Sequence, residues 1–154
     1  KRINQLKFNS IKVDKTYQIK FNEKNSFLGF GWSHNFSDDG VWSEGNISTL
    51  ILNLEKFKEK QYKFVAEIEK YLVNNNKNYQ IEIFINKKLI KKINLNDKKN
   101  YQNLEFVIEN KNIQNLIIID FKFKGLISPY DRMINPDARK LGILLKNFYM
   151  SELK

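Results

Sequence analysis

The sequence predicts an all-β domain, an antiparallel two-sheet β-sandwich, jelly-roll-like, of about eight strands. Three observations carry this. Apolar and polar residues alternate over most of the chain, the period of a strand with one buried face, and no convincing long helix interrupts them. The alternating segments are short and are separated by tracts of Asn, Lys, Gly and Pro that read as turns. At 154 residues the chain forms one domain, 1–154, long enough to bury a single core without disulfide staples.

The first alternating segment is Tyr17, Ile19 and Phe21, with Gln18 and Lys20 facing the other way. In Ser48 to Leu54, the residues Leu50, Leu52 and Leu54 share a face. Tyr62 to Val73 contains Ala66-Glu67-Ile68-Glu69-Lys70, which has helical propensity. Its alternation of Tyr62, Phe64, Ala66, Ile68 and Leu72 nevertheless predicts one long strand. The polar tract Asn74 to Asn78 turns the chain into Tyr79 to Ile85, and Asn86-Lys87-Lys88 makes a hairpin into Leu89 to Leu95, because asparagine tolerates positive φ. Leu104, Phe106 and Ile108 mark another strand, Leu116 to Phe123 an apolar one ending at Gly125, and Gly142 to Met150 the last. Two long irregular stretches remain, about Asn22 to Ile47 and Gly125 to Lys140. Loops of that size in a compact domain are frequent carriers of function.

Composition narrows the function classes. The chain has no cysteine, so disulfides and thiolate metal sites are excluded. No apolar run reaches bilayer length. The chain starts at Lys1 and shows no signal-peptide pattern, and it reads as one part of a longer multidomain protein. The net charge of +10 raises a nucleic-acid partner, but only three of the 27 basic residues are arginines (Arg2, Arg132, Arg139). The lysines alternate with apolar residues like solvated strand faces, which weighs against nucleic acid. Peripheral contact with an anionic membrane stays open on charge grounds.

Both tryptophans lie in Gly31-Trp32-Ser33 and Asp38-Asp39-Gly40-Val41-Trp42-Ser43-Glu44-Gly45. Sugar rings present apolar C–H faces and hydroxyl edges, so indoles beside short polar groups suit a glycan. The carbohydrate-binding candidates are therefore Trp32, Ser33, His34, Asp38, Trp42 and Glu44. The competing structural reading is that a tryptophan beside glycine at a strand end plugs the core, and at least one indole is expected to be buried. Asp131 with Arg132 and Asp137 with Arg139 suit a secondary sugar or phosphate contact, or act as charged pairs that lock the penultimate loop to the sandwich; the loop lock is the preferred reading.

No catalytic residue, metal or cofactor is assigned. Asp38-Asp39-Gly40 offers hard oxygen ligands but matches no complete calcium loop. His34 is the only histidine, which leaves zinc without a ligand set. No nucleophile elbow surrounds Ser33, Ser37 or Ser43. The acids Glu67, Glu69 and Glu82 are expected on exposed strand faces rather than as a glycosidase pair. There is no glycine-rich phosphate loop.

Three landmarks occur in order: Gly31-Trp32-Ser33 with Gly40 to Gly45 and the strand Ser48 to Leu54; the hairpin Ile81 to Ile90; and Ser128-Pro129 followed by Pro136-Asp137-Ala138-Arg139-Lys140-Leu141-Gly142-Ile143. Together they resemble the signature of an accessory β-sandwich domain, similar to carbohydrate-binding modules, attached to bacterial surface-polysaccharide glycosyltransferases and related sugar transferases. The chain departs from that pattern at Asn35-Phe36, where Pro-Glu is usual, and at Lys87, which replaces a turn glycine. The resemblance implies a noncatalytic domain that holds a glycan or polysaccharide acceptor near the catalytic domain of the parent chain. It also implies a location in the cytoplasm or at the cytoplasmic face of the inner membrane. The alternatives are a purely structural docking domain and a basic surface for anionic lipid or nucleic acid.

Overall fold

A computed structural model describes residues 10–19, 27–34, 39–54, 61–75, 77–96, 103–109 and 116–153. They contain nine strands: β1 (Tyr17–Gln18), β2 (Val41–Glu44), β3 (Ile47–Asn53), β4 (Gln61–Lys70), β5 (Gln80–Ile85), β6 (Lys88–Asn94), β7 (Asn103–Glu109), β8 (Leu116–Lys124) and β9 (Leu141–Glu152). One sheet runs β1-β9-β4-β7 and the other β3-β8-β5-β6. The strand pairs in both are antiparallel. Strands β1 and β2 both pair with the twelve-residue β9, β1 opposite Asn147 and Phe148 and β2 opposite Leu141 to Leu145. The expected two-sheet sandwich is the observed architecture.

Alternation explains the core. Leu104, Phe106 and Ile108 of β7 are buried while Asn103, Glu105, Val107 and Glu109 are exposed. Tyr62, Phe64, Ala66 and Ile68 of β4 face inward towards Ile81, Ile83 and Ile85 of β5 and Ile117, Ile119, Phe121 and Phe123 of β8. Across the first sheet Phe106, Phe64 and Phe148 stack with centroids 4.7 and 5.4 Å apart, and Tyr17 extends the row at 5.5 Å from Phe148.

Several expectations are corrected. The strand expected over Tyr62 to Val73 ends at Lys70, and Leu72–Asn74 is a 3-10 turn. The buried Asn74 side chain drives this break: its amide donates to the Leu141 carbonyl at 2.6 Å and its oxygen accepts the Ile127 N–H at 2.7 Å. Phe21 lies outside the described residues. The short β2 was hidden in what reads as loop, because four residues between glycines show little period. Asn86 and Lys87 both have positive φ, so the hairpin turn holds two residues and Lys88 already belongs to β6. Glu82 is buried rather than exposed, held between Lys124 at 3.3 Å and Lys92 at 3.6 Å.

Candidate functional site

The first motif builds core. Gly31 has φ +86°, and a Cβ there would lie 2.0 Å from the Ile47 carbonyl oxygen, so only glycine lets the chain run this close to β3. The segment before it is tied to β3 by Gly29 N–H to Thr49 O, Thr49 N–H to Phe30 O and Ile51 N–H to Phe27 O. The next residue, Trp32, turns inward. Its indole is 9% exposed, donates Nε1–H to the Thr49 carbonyl at 2.9 Å and meets Phe121 edge-to-face. Ser33 is buried as well, with its N–H on the Trp42 carbonyl. Both are placed in the buried wall of the sandwich, as the core-plug reading expects of at least one indole. His34 is exposed, and Asp38 lies outside the described residues.

The second motif builds surface. In β2 the inward residues are Val41 and Ser43, so Trp42 and Glu44 take the outer face and are half-buried. The Trp42 indole meets the Tyr71 ring edge-to-face at 5.3 Å with an interplanar angle of 72°. Tyr71 follows the end of β4, and its N–H is directed at the Gly142 carbonyl and the Tyr79 hydroxyl. The outward-facing, half-buried aromatic pair is therefore Trp42 with Tyr71, a residue the sequence reading missed. Its only sequence signal is an aromatic side chain where the alternation of β4 stops.

Charged groups flank this pair. Arg139 Nε donates to Asp137 Oδ1 at 3.0 Å and Nη2 to Oδ2 at 2.9 Å, a two-pronged fork. Hydrogen bonds from the Arg139 side chain and N–H hold the Asp137 carboxyl down at about 2. Glu44 and Tyr71 lie within electrostatic reach of the same guanidinium. Burial, followed by the Asp137 charge, raises the Tyr71 phenol. On its other side Tyr71 lines a cleft of about 310 Å³ with Lys70, Leu72, Asn74, Asn75, Tyr79, Leu95 and Asn96. Apolar rings, amides, a guanidinium and carboxylates thus surround Tyr71.

Of the four loop-lock candidates, Arg132 bonds outside the loop, to a backbone carbonyl rather than to Asp131. Asp131 and Arg132 are not paired: Asp131 exchanges hydrogen bonds with Ser128, whereas Arg132 Nη2 donates to the Asn75 carbonyl at 2.8 Å. Neighbours in a tight turn point apart, which separates the two charges. The Asp137–Arg139 pair forms, yet both ends belong to the loop and shape it from within. Arg132, the buried Asn74 and the Gly45 N–H to Lys140 O bond fasten the loop to the sandwich. Among the described residues no three His, Cys, Asp or Glu side chains converge to hold a metal ion.

No protein-family model and no curated protein matches the chain. Solved structures do. The xylan-binding module CBM15 superposes with a TM-score of 0.52 at 11% identity, over 91% of this chain and 97% of that one. An arabinoxylan arabinofuranohydrolase of glycoside hydrolase family 43 from Bacillus subtilis matches 95% of this chain with a TM-score of 0.50 at 10% identity. An acetyl xylan esterase from the rumen bacterium Butyrivibrio proteoclasticus matches 93% with a TM-score of 0.50 at 11% identity. The chain spans only 28% and 34% of the lengths of these two enzymes. At such identities the likeness is one of fold.

Proposed function

We propose that the chain is a noncatalytic carbohydrate-binding domain that receives a glycan on the surface centred on Trp42 and Tyr71. The edge-to-face pair of these two rings carries the reading, because it holds two aromatic side chains rigidly at the outer surface beside groups that bond hydroxyls. A pyranose face has C–H groups that pack on an indole, and its hydroxyls both donate and accept. Glu44 accepts, Arg139 donates through the guanidinium edge that Asp137 leaves free, and the Asn75 and Asn96 side chains in the cleft do both. The fold shared with a xylan-binding module supports this reading. The resemblance of the motifs to accessory domains of surface-polysaccharide transferases supports a more specific one. In it the domain keeps an acceptor glycan near the parent's catalytic domain at the cytoplasmic face of the inner membrane, where tethering raises effective concentration.

The test is an NMR titration with bacterial surface-polysaccharide fragments and with xylo-oligosaccharides, at low and high salt. Salt-resistant shifts at Trp42, Tyr71 and Arg139, lost in folded Trp42→Ala and Tyr71→Ala variants, are expected. An absence of shifts at millimolar ligand rejects sugar binding for those glycans and favours a structural docking domain.

A further inference from the structure

The connection between β8 and β9 projects a turn that the sugar-binding reading does not use. Residues 130–136 are all exposed, and the apolar ones stand far out: Met133 is 93% exposed, Tyr130 63% and Ile134 63%. Leu72, 83% exposed, sits on the adjoining 3-10 turn, which the Arg132 to Asn75 hydrogen bond draws alongside. Single exposed apolar residues are ordinary, but three within five residues of one turn, with a fourth on the neighbouring turn that Arg132 bonds, are not.

The turn is built rather than slack. Arg132 N–H bonds Ser128 O at 3.2 Å, Met133 N–H bonds Tyr130 O at 3.0 Å, and Ile134 N–H bonds Pro129 O at 2.9 Å. Met133 has φ 58°, the left-handed region that favours glycine or asparagine. Turn formation therefore works against methionine at this position, and the side chain needs another reason to be there.

Charge completes the picture. Of the two acids of the turn region, Asp137 is paired with Arg139, and Asp131, which accepts the Ser128 N–H, keeps its negative charge within reach of Lys140, so the cations Arg132, Lys140 and Lys77 outnumber it. Arg132, Lys140 and Lys77 have no carboxylate ion pair among the described residues, and the chain as a whole carries +10. Lys140 lies close enough to Asp131 to affect its ionisation, and Lys77 follows the Asn75 turn that Arg132 grips.

We propose that this turn is a membrane-contact tip. Met133, Ile134, Tyr130 and Leu72 enter the interfacial zone of an anionic bilayer while Arg132, Lys140 and Lys77 lie against lipid phosphates. A bilayer matches apolar side chains at the head of one tight turn flanked by cations, because insertion and attraction to acidic headgroups act together. The 130–136 turn lies outside the glycan surface, and Leu72, which also lines the Tyr71 cleft, stands at the border between the two.

Co-sedimentation with phosphatidylcholine vesicles, with and without phosphatidylglycerol, tests it. The 154-residue chain is expected to bind only the anionic vesicles. The Met133→Ser/Ile134→Ser variant changes exposed side chains alone, so it should melt unchanged and bind about tenfold more weakly. Since the chain has no cysteine, Met133→Cys can carry an environment-sensitive fluorophore, which should shift to the blue on anionic vesicles, unlike the same label at Glu105→Cys on β7. Trp42→Ala should leave vesicle binding intact, which separates this proposal from the glycan reading. Three results would overturn it: no sedimentation with anionic vesicles, sedimentation indifferent to the double variant, or self-association that the double variant abolishes without any vesicle binding. The second would assign binding to lysines elsewhere, and the third would give the tip to a second copy of the chain.

Discussion

The buried hydroxyl of Ser43 accepts the N–H of Gly142 at 3.0 Å and, from the next residue, the N–H of Ile143 at 2.9 Å. This double acceptance sits where the β2 to β9 register shifts, Trp42 facing Leu144 and Glu44 facing Leu141. The serine side chain thereby satisfies backbone donors that the irregular ladder leaves over. Gly142 is equally constrained: a Cβ would lie 2.7 Å from the Phe123 ring and 2.8 Å from Ser43 Oγ. Its carbonyl accepts the Tyr79 hydroxyl and the Tyr71 N–H, so the same joint fixes both Trp42, through β2, and Tyr71. Two motifs about a hundred residues apart in the sequence thus interlock to set the aromatic pair.

Removing the hydroxyl tests that joint. Ser43→Ala leaves two buried N–H groups without their acceptor and is expected to destabilise the domain by about 2–4 kcal/mol, read from urea denaturation. Gly142→Ala should act in the same direction through the clash with Phe123. A loss below about 0.5 kcal/mol for Ser43→Ala would show that water replaces the serine and that the joint is dispensable.

Tyr79 gives the domain a pH signature at the alkaline end. Burial, opposed in part by the Tyr71 N–H and the Asn74 side chain, pushes its phenol from 10.0 up to about 12. A raised folded value means that the native state holds the proton more tightly than the unfolded chain. The corresponding stability is complete below about pH 10 and is lost as pH rises through about 12. Tyr79→Phe should remove this step from the stability profile while lowering stability at neutral pH, since the Gly142 carbonyl loses a donor. An unchanged alkaline profile in the variant would assign the transition to other groups.

The sequence carried the strands because burial on one face writes a period of two, as in β7, where every second residue is buried. It did not carry the aromatic pair, for physical reasons that specific residues show. Which indole faces outward depends on the parity of a four-residue strand whose register the Ser43 joint shifts, and local composition around Trp32 and Trp42 is similar. Tyr71 is placed by the break in β4, which Asn74 enforces through a carbonyl 67 residues away. Arg132 finds a backbone carbonyl 57 residues away instead of the adjacent Asp131, and a carbonyl acceptor leaves no mark in the sequence. Long-range bonds to backbone atoms decided each case.

The β5–β6 turn offers a stabilising change. Lys87 has φ 74° and an exposed side chain whose ammonium lies 3.6 Å from Asp120. A lysine in the left-handed region is strained, whereas glycine adopts it freely, and an ion pair of 3.6 Å whose ammonium end is solvated offsets little of that strain, Asp120 keeping its Thr49 hydrogen bond. Lys87→Gly should stabilise the domain by about 0.5–1 kcal/mol, visible as a rise in melting temperature. A lower melting temperature would mean that the Lys87–Asp120 contact outweighs the backbone strain.

The unequal placement of the two indoles predicts distinct fluorescence from single-tryptophan variants. With Trp42→Phe only Trp32 emits, and its burial with an Nε1–H bond to Thr49 should give blue emission that acrylamide barely quenches. With Trp32→Phe only Trp42 emits, and its half-buried position on the outer face should give redder emission, open to acrylamide and sensitive to bound glycan. The substitutions should also differ in stability. Trp32→Phe vacates packed volume and a buried hydrogen bond, a loss of about 1–3 kcal/mol, whereas Trp42→Phe keeps an aromatic ring against Tyr71 and should change little. Equal quenching of the two emissions would place both indoles in one environment and remove the basis for choosing Trp42 and Tyr71 as the outward-facing pair.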